Sequence, residues 1–178
     1  YASTDEHGAA VDLMAYNIPQ DKLTVSPMKR IGDYEYEQIS LDILLDNKLY
    51  YLNYNEVMCF DTQNNEYEML ADISHEFTDT DRRVMNNVVT YDIFNKDCIY
   101  YSDNEAVFNN NNGETTNTVR LYEYNIKTAE TRTVVNMTYT APYNDDLKEI
   151  AVVNGNVFLQ YSSNDIYQVV DNQEIKKY

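Results

Sequence analysis

Tryptophan is absent from this chain of 178 residues, and glycine (4), proline (3), cysteine (2) and histidine (2) are scarce. Two cysteines, Cys59 and Cys98, cannot make a disulfide scaffold and have no metal-ligand spacing. Both fall in strand-like runs, where a buried free thiol is expected. His7 sits in a polar stretch and His75 in Ser74-His75-Glu76, and neither has a nucleophile elbow of the G-x-S-x-G kind beside it, so both read as solvated loop residues. Zinc ligation by His and Cys lacks its spacing as well. Basic residues are also few, 13 against 30 acidic ones, for a net charge of −17. Such a balance repels phosphate backbones, so nucleic acid is excluded as a partner, and no basic cluster suits an anionic membrane surface. The longest apolar runs, such as Ile150-Ala151-Val152-Val153, fall far short of the roughly 20 residues that span a bilayer as a helix, so no transmembrane segment is expected. The chain opens on Tyr1 with neither initiator Met nor signal peptide, and a cut from something longer is expected.

What the chain does have is 43% hydrophobic residues, 18 tyrosines and 22 asparagines. That is enough apolar material for a core, in one domain or two small ones. Tyrosine suits half-buried pleated surfaces, and asparagine suits turns that need a left-handed backbone. Many short strands joined by Asn-rich turns follow.

The strands repeat. Val11-Asp12-Leu13-Met14-Ala15-Tyr16-Asn17-Ile18, with Lys22, aligns without a gap on Val119-Arg120-Leu121-Tyr122-Glu123-Tyr124-Asn125-Ile126, with Glu130. The same shape recurs at Val57 to Asp61 with Glu66, and at Ile166 to Asp171 with Glu174. Each is a strand, a polar turn and another strand. A second hairpin precedes three of these, at Asp46-Asn47-Lys48-Leu49-Tyr50-Tyr51-Leu52, at Lys96-Asp97-Cys98-Ile99-Tyr100-Tyr101-Ser102 and at Asn154-Gly155-Asn156-Val157-Phe158-Leu159-Gln160. Asn-Gly supplies the two positive-φ residues of a type I′ turn. The expected fold is therefore all-β, built of repeated four-stranded antiparallel meanders, with a half set at 11–30 and full sets at about 34–73, 86–137 and 145–178. The Asn109 to Asn117 stretch reads as a polar insertion in a surface loop, and Ser74 to Met85 as a connection between sets.

Leu49-Tyr50-Tyr51, Ile99-Tyr100-Tyr101-Ser102-Asp103 and Leu121-Tyr122-Glu123-Tyr124-Asn125-Ile126-Lys127-Thr128 resemble blades of bacterial cell-surface β-propellers. The nearest are TolB-like six-bladed propellers and the low-density-lipoprotein-receptor-like propeller domains of Gram-positive lipoproteins. The resemblance spans Val11 to Lys177. It implies extracellular or cell-surface recognition of proteins or glycans, with no catalytic residue to carry over. Three and a half blades are fewer than the 4 to 8 of closed propellers. The chain is thus expected to be a partial β-propeller completed by further blades from the same or another chain, or alternatively a β-sandwich.

For ligand binding, the tyrosines off the regular strand pattern are the candidates: Tyr34, Tyr36, Tyr54, Tyr139 and Tyr143. Tyrosine offers contact area, a polar tip and little entropy loss. Calcium needs six to eight oxygens, which Asp79 with Asp81, and Asp103 with Glu105, begin to supply, although neither pair follows the EF-hand pattern. The functional expectation is a noncatalytic extracellular module binding a protein or glycan through loops and aromatics on one propeller face. The alternative is a carbohydrate-active hydrolase or lyase, or a fragment of one, using a carboxylate pair in a propeller cleft.

Overall fold

A computed structural model describes residues 11–17, 22–28, 39–53, 55–73, 82–84, 87–109, 113–142, 147–170 and 174–177. Among these residues there is no helix, and every strand pairing is antiparallel. None of the described residues form a helix long and apolar enough to cross a membrane. The sheets are open, as in part of a propeller or in a sandwich. The chain divides into two compact units after Leu70.

In the first unit, β1 (Val11–Asn17) pairs with β2 (Lys22–Met28). A four-stranded meander follows, in the order β3 (Ile39–Leu45), β4 (Lys48–Asn53), β5 (Glu56–Asp61) and β6 (Glu66–Asp72). β4 and β5 are buried along nearly their whole length, whereas β6 is largely exposed and carries Glu66, Glu68 and Asp72. Charges on a last strand discourage edge-to-edge pairing with other chains. Leu49, Tyr51, Met58 and Phe60 form the cluster on one face, with the Tyr67 ring stacked 4.7 Å from Phe60.

Turn chemistry explains the sequence repeats. Asp46-Asn47 (φ 46° and 65°) and Asn154-Gly155 (φ 49° and 73°) both supply the paired positive φ of a type I′ hairpin. The β5–β6 hairpin of the first meander and the hairpin that follows Asn125 each close through an Asx side chain. Asp61 Oδ1 accepts the N–H groups of Gln63 and Asn64, and Asn125 Oδ1 accepts those of Lys127 and Thr128. Asn65 N–H then donates to the Asp61 carbonyl and Ala129 N–H to that of Asn125, both residues at positive φ. A short side-chain acceptor that closes its own turn is what Asp and Asn offer at such places.

In the second unit, β9 (Asn95–Asn109), β10 (Glu114–Asn125) and β11 (Glu130–Pro142) form long antiparallel pairs. Two short strands, β7 (Arg82–Val84) and β8 (Val89–Asp92), share the free side of β9 at different heights. Asn87 and Val88 fill the gap between them. Asn104 N–H donates to Asn87 Oδ1, Ser102 N–H to the Val88 carbonyl, and Val88 N–H to Ser102 Oγ. The second sheet is a meander of β12 (Leu147–Val153), β13 (Asn156–Tyr161), β14 (Ile166–Val170) and β15 (Glu174–Lys177).

Three expectations change here. Of the stretch expected to be loop, Asn109 closes β9 and Glu114 to Asn117 open β10, so β11 also lengthens and takes in Tyr139. Part of the expected connection, Arg82–Val84, is strand. The first hairpin of this sheet turns at Ile93-Phe94 instead of Lys96-Asp97, because the register jumps from Tyr91↔Ile99 to Asp92↔Asn95 and the polar residues go into the bulge.

One core joins the two sheets of this unit. Cys98, Tyr100, Ala106, Val119, Leu121, Val135 and Met137 of the first pack with Leu147, Ile150, Val152, Val157, Leu159 and Tyr161 of the second. β8 lies against β12, so the strands that open the two hairpins are neighbours. Their turns are tied together: Asp92 Oδ1 accepts the Phe94 N–H at 2.9 Å, and Asp92 Oδ2 accepts the N–H of Gly155 in the next sheet at 2.7 Å.

Candidate functional site

Side chains alternate between the faces of a strand, and the pairing of β9 with β10 therefore decides what meets on each face. Arg120 lies opposite Asp103, with Thr118 opposite Glu105 and Tyr122 opposite Tyr101. On this face the Arg120 guanidinium spans two carboxylates, Nη1 to Asp103 Oδ2 at 3.3 Å and Nη2 to Glu105 Oε1 at 3.0 Å. All three side chains are mostly covered. Burial alone would lower the Arg120 pKa, but the hydrogen bond to Glu105 and the charges of both acids outweigh it and the pKa is raised. Beside the clamp the rings of Tyr101 and Tyr122 stack at 5.2 Å. Thr118 and Thr138 hydroxyls approach to 3.3 Å on the same face.

This arrangement bears on two chemistries. A hydrolytic pair needs two carboxyls with a bond or a water between them; between Asp103 and Glu105 lies a guanidinium. A calcium ion held by Asp103 and Glu105 would have to displace the same group. Among the described residues no three His, Cys, Asp or Glu side chains gather to hold a metal ion.

On the other face, Glu123 makes a two-point ion pair with Arg132, Oε1 to Nε at 2.7 Å and Oε2 to Nη2 at 2.9 Å, and also accepts the Tyr100 hydroxyl at 2.9 Å. The Arg132 bond does most to lower the Glu123 pKa; it and the Tyr100 bond outweigh desolvation. A cleft of about 510 Å³ lies over this pair, lined by Glu123, Asn125, Glu130, Thr131 and Arg132. Cys98 and Cys59 are free and buried, as expected. Burial pushes both thiols up, which keeps them protonated and poor nucleophiles.

Of the candidate aromatics, Tyr139 is half-buried within β11, its ring edge-on to Tyr161 at 5.5 Å, and Tyr161 is edge-on to Tyr167 at 5.3 Å. Tyr34, Tyr36, Tyr54, Tyr143, Asp79 and Asp81 lie outside the described residues, as do His7 and His75. The structure brings Asp103 and Glu105 together with Arg120, a partner the sequence reading did not single out. Its signal was present, since counting outward from the asparagine run at the hairpin tip sets Arg120 opposite Asp103.

No family model and no curated protein matches the chain. Among solved structures it is similar to an extracellular domain from B. thetaiotaomicron assigned to a hybrid two-component system, at 17% identity and a TM-score of 0.45 over 96% of this chain. The chain spans 20% of that structure's length. A second extracellular domain from the same bacterium, assigned to a one-component system, has 12% identity and a TM-score of 0.35, covering 98% of this chain and 25% of its own. A luciferin-regenerating enzyme has 9% identity and a TM-score of 0.31, over 93% of this chain and 67% of its own.

Proposed function

We propose that this chain is a noncatalytic extracellular recognition or scaffolding module, part of a β-propeller, which binds a protein or a glycan through loops and aromatics on one face. The observation that carries the blade reading is the tie between Asp92 and Gly155. It joins equivalent hairpins of successive sheets, and the opening strands β8 and β12 are neighbours. Sheets repeated with like turns side by side support this reading, since a stack of blades presents its turns as a face. Asp103 and Glu105 are engaged by Arg120, and Glu123 by Arg132, which favours binding over hydrolysis.

The test is a glycan array screened with the chain, each hit then assayed for turnover. Binding without turnover is expected. Turnover abolished by Asp103→Asn or Glu105→Gln would make the chain a carbohydrate-active enzyme instead.

A further inference from the structure

β10 directs alternate residues, Thr115, Asn117, Val119 and Leu121, toward the inter-sheet core, and all four are buried. Val119 and Leu121 are the apolar residues that this position demands. Thr115 and Asn117 are not, at 2% and 1% exposure. Asn117 sits between Ala106 of β9 and Tyr139 of β11, and Thr115 between Phe108 and Ala141. Among the described residues, Asn117 Nδ2, Asn117 Oδ1 and Thr115 Oγ1 have no hydrogen-bond partner.

Leaving a buried polar group unpaired is destabilising, whereas an apolar side chain of the same shape carries no such penalty. A leucine at 117 and a valine at 115 would continue the pattern set by Val119 and Leu121. Retaining an amide and a hydroxyl two residues apart on one face, about 7 Å along the strand, calls for partners that are not protein. Their chemistry is fixed by the groups present. The amide N–H donates, the amide oxygen accepts, and the threonine hydroxyl does either. Water and hydroxyls match this set because each both donates and accepts. Asp103 and Glu105 belong to the opposite face of β9, so neither carboxylate is offered to this site.

We infer that Asn117 and Thr115 form a buried site for a pair of hydroxyl oxygens, one accepting from Asn117 Nδ2 and the other donating to Asn117 Oδ1, with Thr115 Oγ1 bonded to one of them. Two ordered waters or the vicinal hydroxyls of a sugar present the same chemistry. The site stands whether or not the chain is a recognition module, since it rests on the groups lining it.

A crystal structure of the whole chain, grown without polyols and again after soaking with a hexose, tests this. Oxygen density within about 2.7–3.2 Å of Asn117 Nδ2 and Oδ1 and of Thr115 Oγ1 is expected in the first crystals. Replacement of that density by a hexose in the second identifies a sugar site, and its persistence identifies structural water. An empty, closed space around Asn117 in both would overturn the inference. In solution, water-to-protein nuclear Overhauser effects should reach the Asn117 side-chain NH₂, or be replaced by effects from the sugar. Asn117→Leu, whose fold is checked by circular dichroism, should show no gain in melting temperature; a rise of several degrees would mean that the amide had been unpaired and that no hydroxyl site exists.

Discussion

Asp92→Ala is expected to destabilise the second unit by about 2–3 kcal/mol, read as a lower midpoint in urea with little change in slope. The carboxylate is buried at the end of β8, and it holds its own turn through Phe94 and the next sheet through Gly155. Truncation leaves these backbone donors facing an apolar methyl. Asp92→Asn keeps an acceptor for only one of them and should fall between wild type and alanine. The sign with pH follows from the same bonds. Desolvation pushes the Asp92 carboxyl up, but the N–H groups of Phe94, Gly155 and Asn154 outweigh it and hold the pKa below its ordinary value. A lowered carboxyl pKa stabilises the fold above the unfolded value, near 4, and that stability is lost as the pH falls through the folded value. The gap between wild type and Asp92→Ala should therefore narrow in acid. A gap of the same size from neutral pH to pH about 2, well below that ordinary value, would show that the carboxylate's charge is immaterial.

Alkaline pH should unfold the protein through its tyrosines. Burial raises the pKa of Tyr51 most, with Tyr67, Cys59 and Glu56 adding to it, and burial with the Glu123 carboxylate raises Tyr100. Tyr101 and Tyr122 are raised as well, chiefly by burial. A phenol whose folded pKa is raised contributes stability that is present below its unfolded value, near 10, and is lost as the pH rises toward the folded value. Tyrosinate absorbance and far-ultraviolet circular dichroism followed together should show late, cooperative ionisation that coincides with loss of β signal. The opposite finding would be all 18 tyrosines titrating near 10 with the β signal intact. Tyr100→Phe should move the onset to higher pH.

The strands and most hairpins were legible because each repeat encodes a local physical need. Asp61 and Asn125 stand where a side-chain oxygen must close a turn, and Asn154-Gly155 stands where two positive φ angles are required. The hairpin at Ile93-Phe94 was not legible. Asn95-Lys96-Asp97 has the composition of a turn, yet Asn95 pairs with Asp92 and Lys96 and Asp97 enter a bulge, while two large apolar side chains stay exposed at the tip, and Asp92 is what fixes this. The length of β9, β10 and β11 was hidden too, since an asparagine run reads as loop whether it interrupts a strand or caps a longer hairpin. Of the candidate site, Asp103 and Glu105 were picked out for their charge, but their partner Arg120 needed the register. Asn117 was concealed by its type, because an asparagine facing a core goes against the alternation that marks core positions.

Native-state hydrogen exchange, followed residue by residue, addresses most directly whether the two sheets of the second unit are one stacked structure. The shared core of Leu121 and Val119 with Leu159 and Ile150 predicts equal opening free energies for amides in β9, β10, β12 and β13, falling together in Asp92→Ala. Sheets that opened at separate free energies, with β12 and β13 indifferent to the loss of Asp92, would contradict the stack and the blade reading built on it.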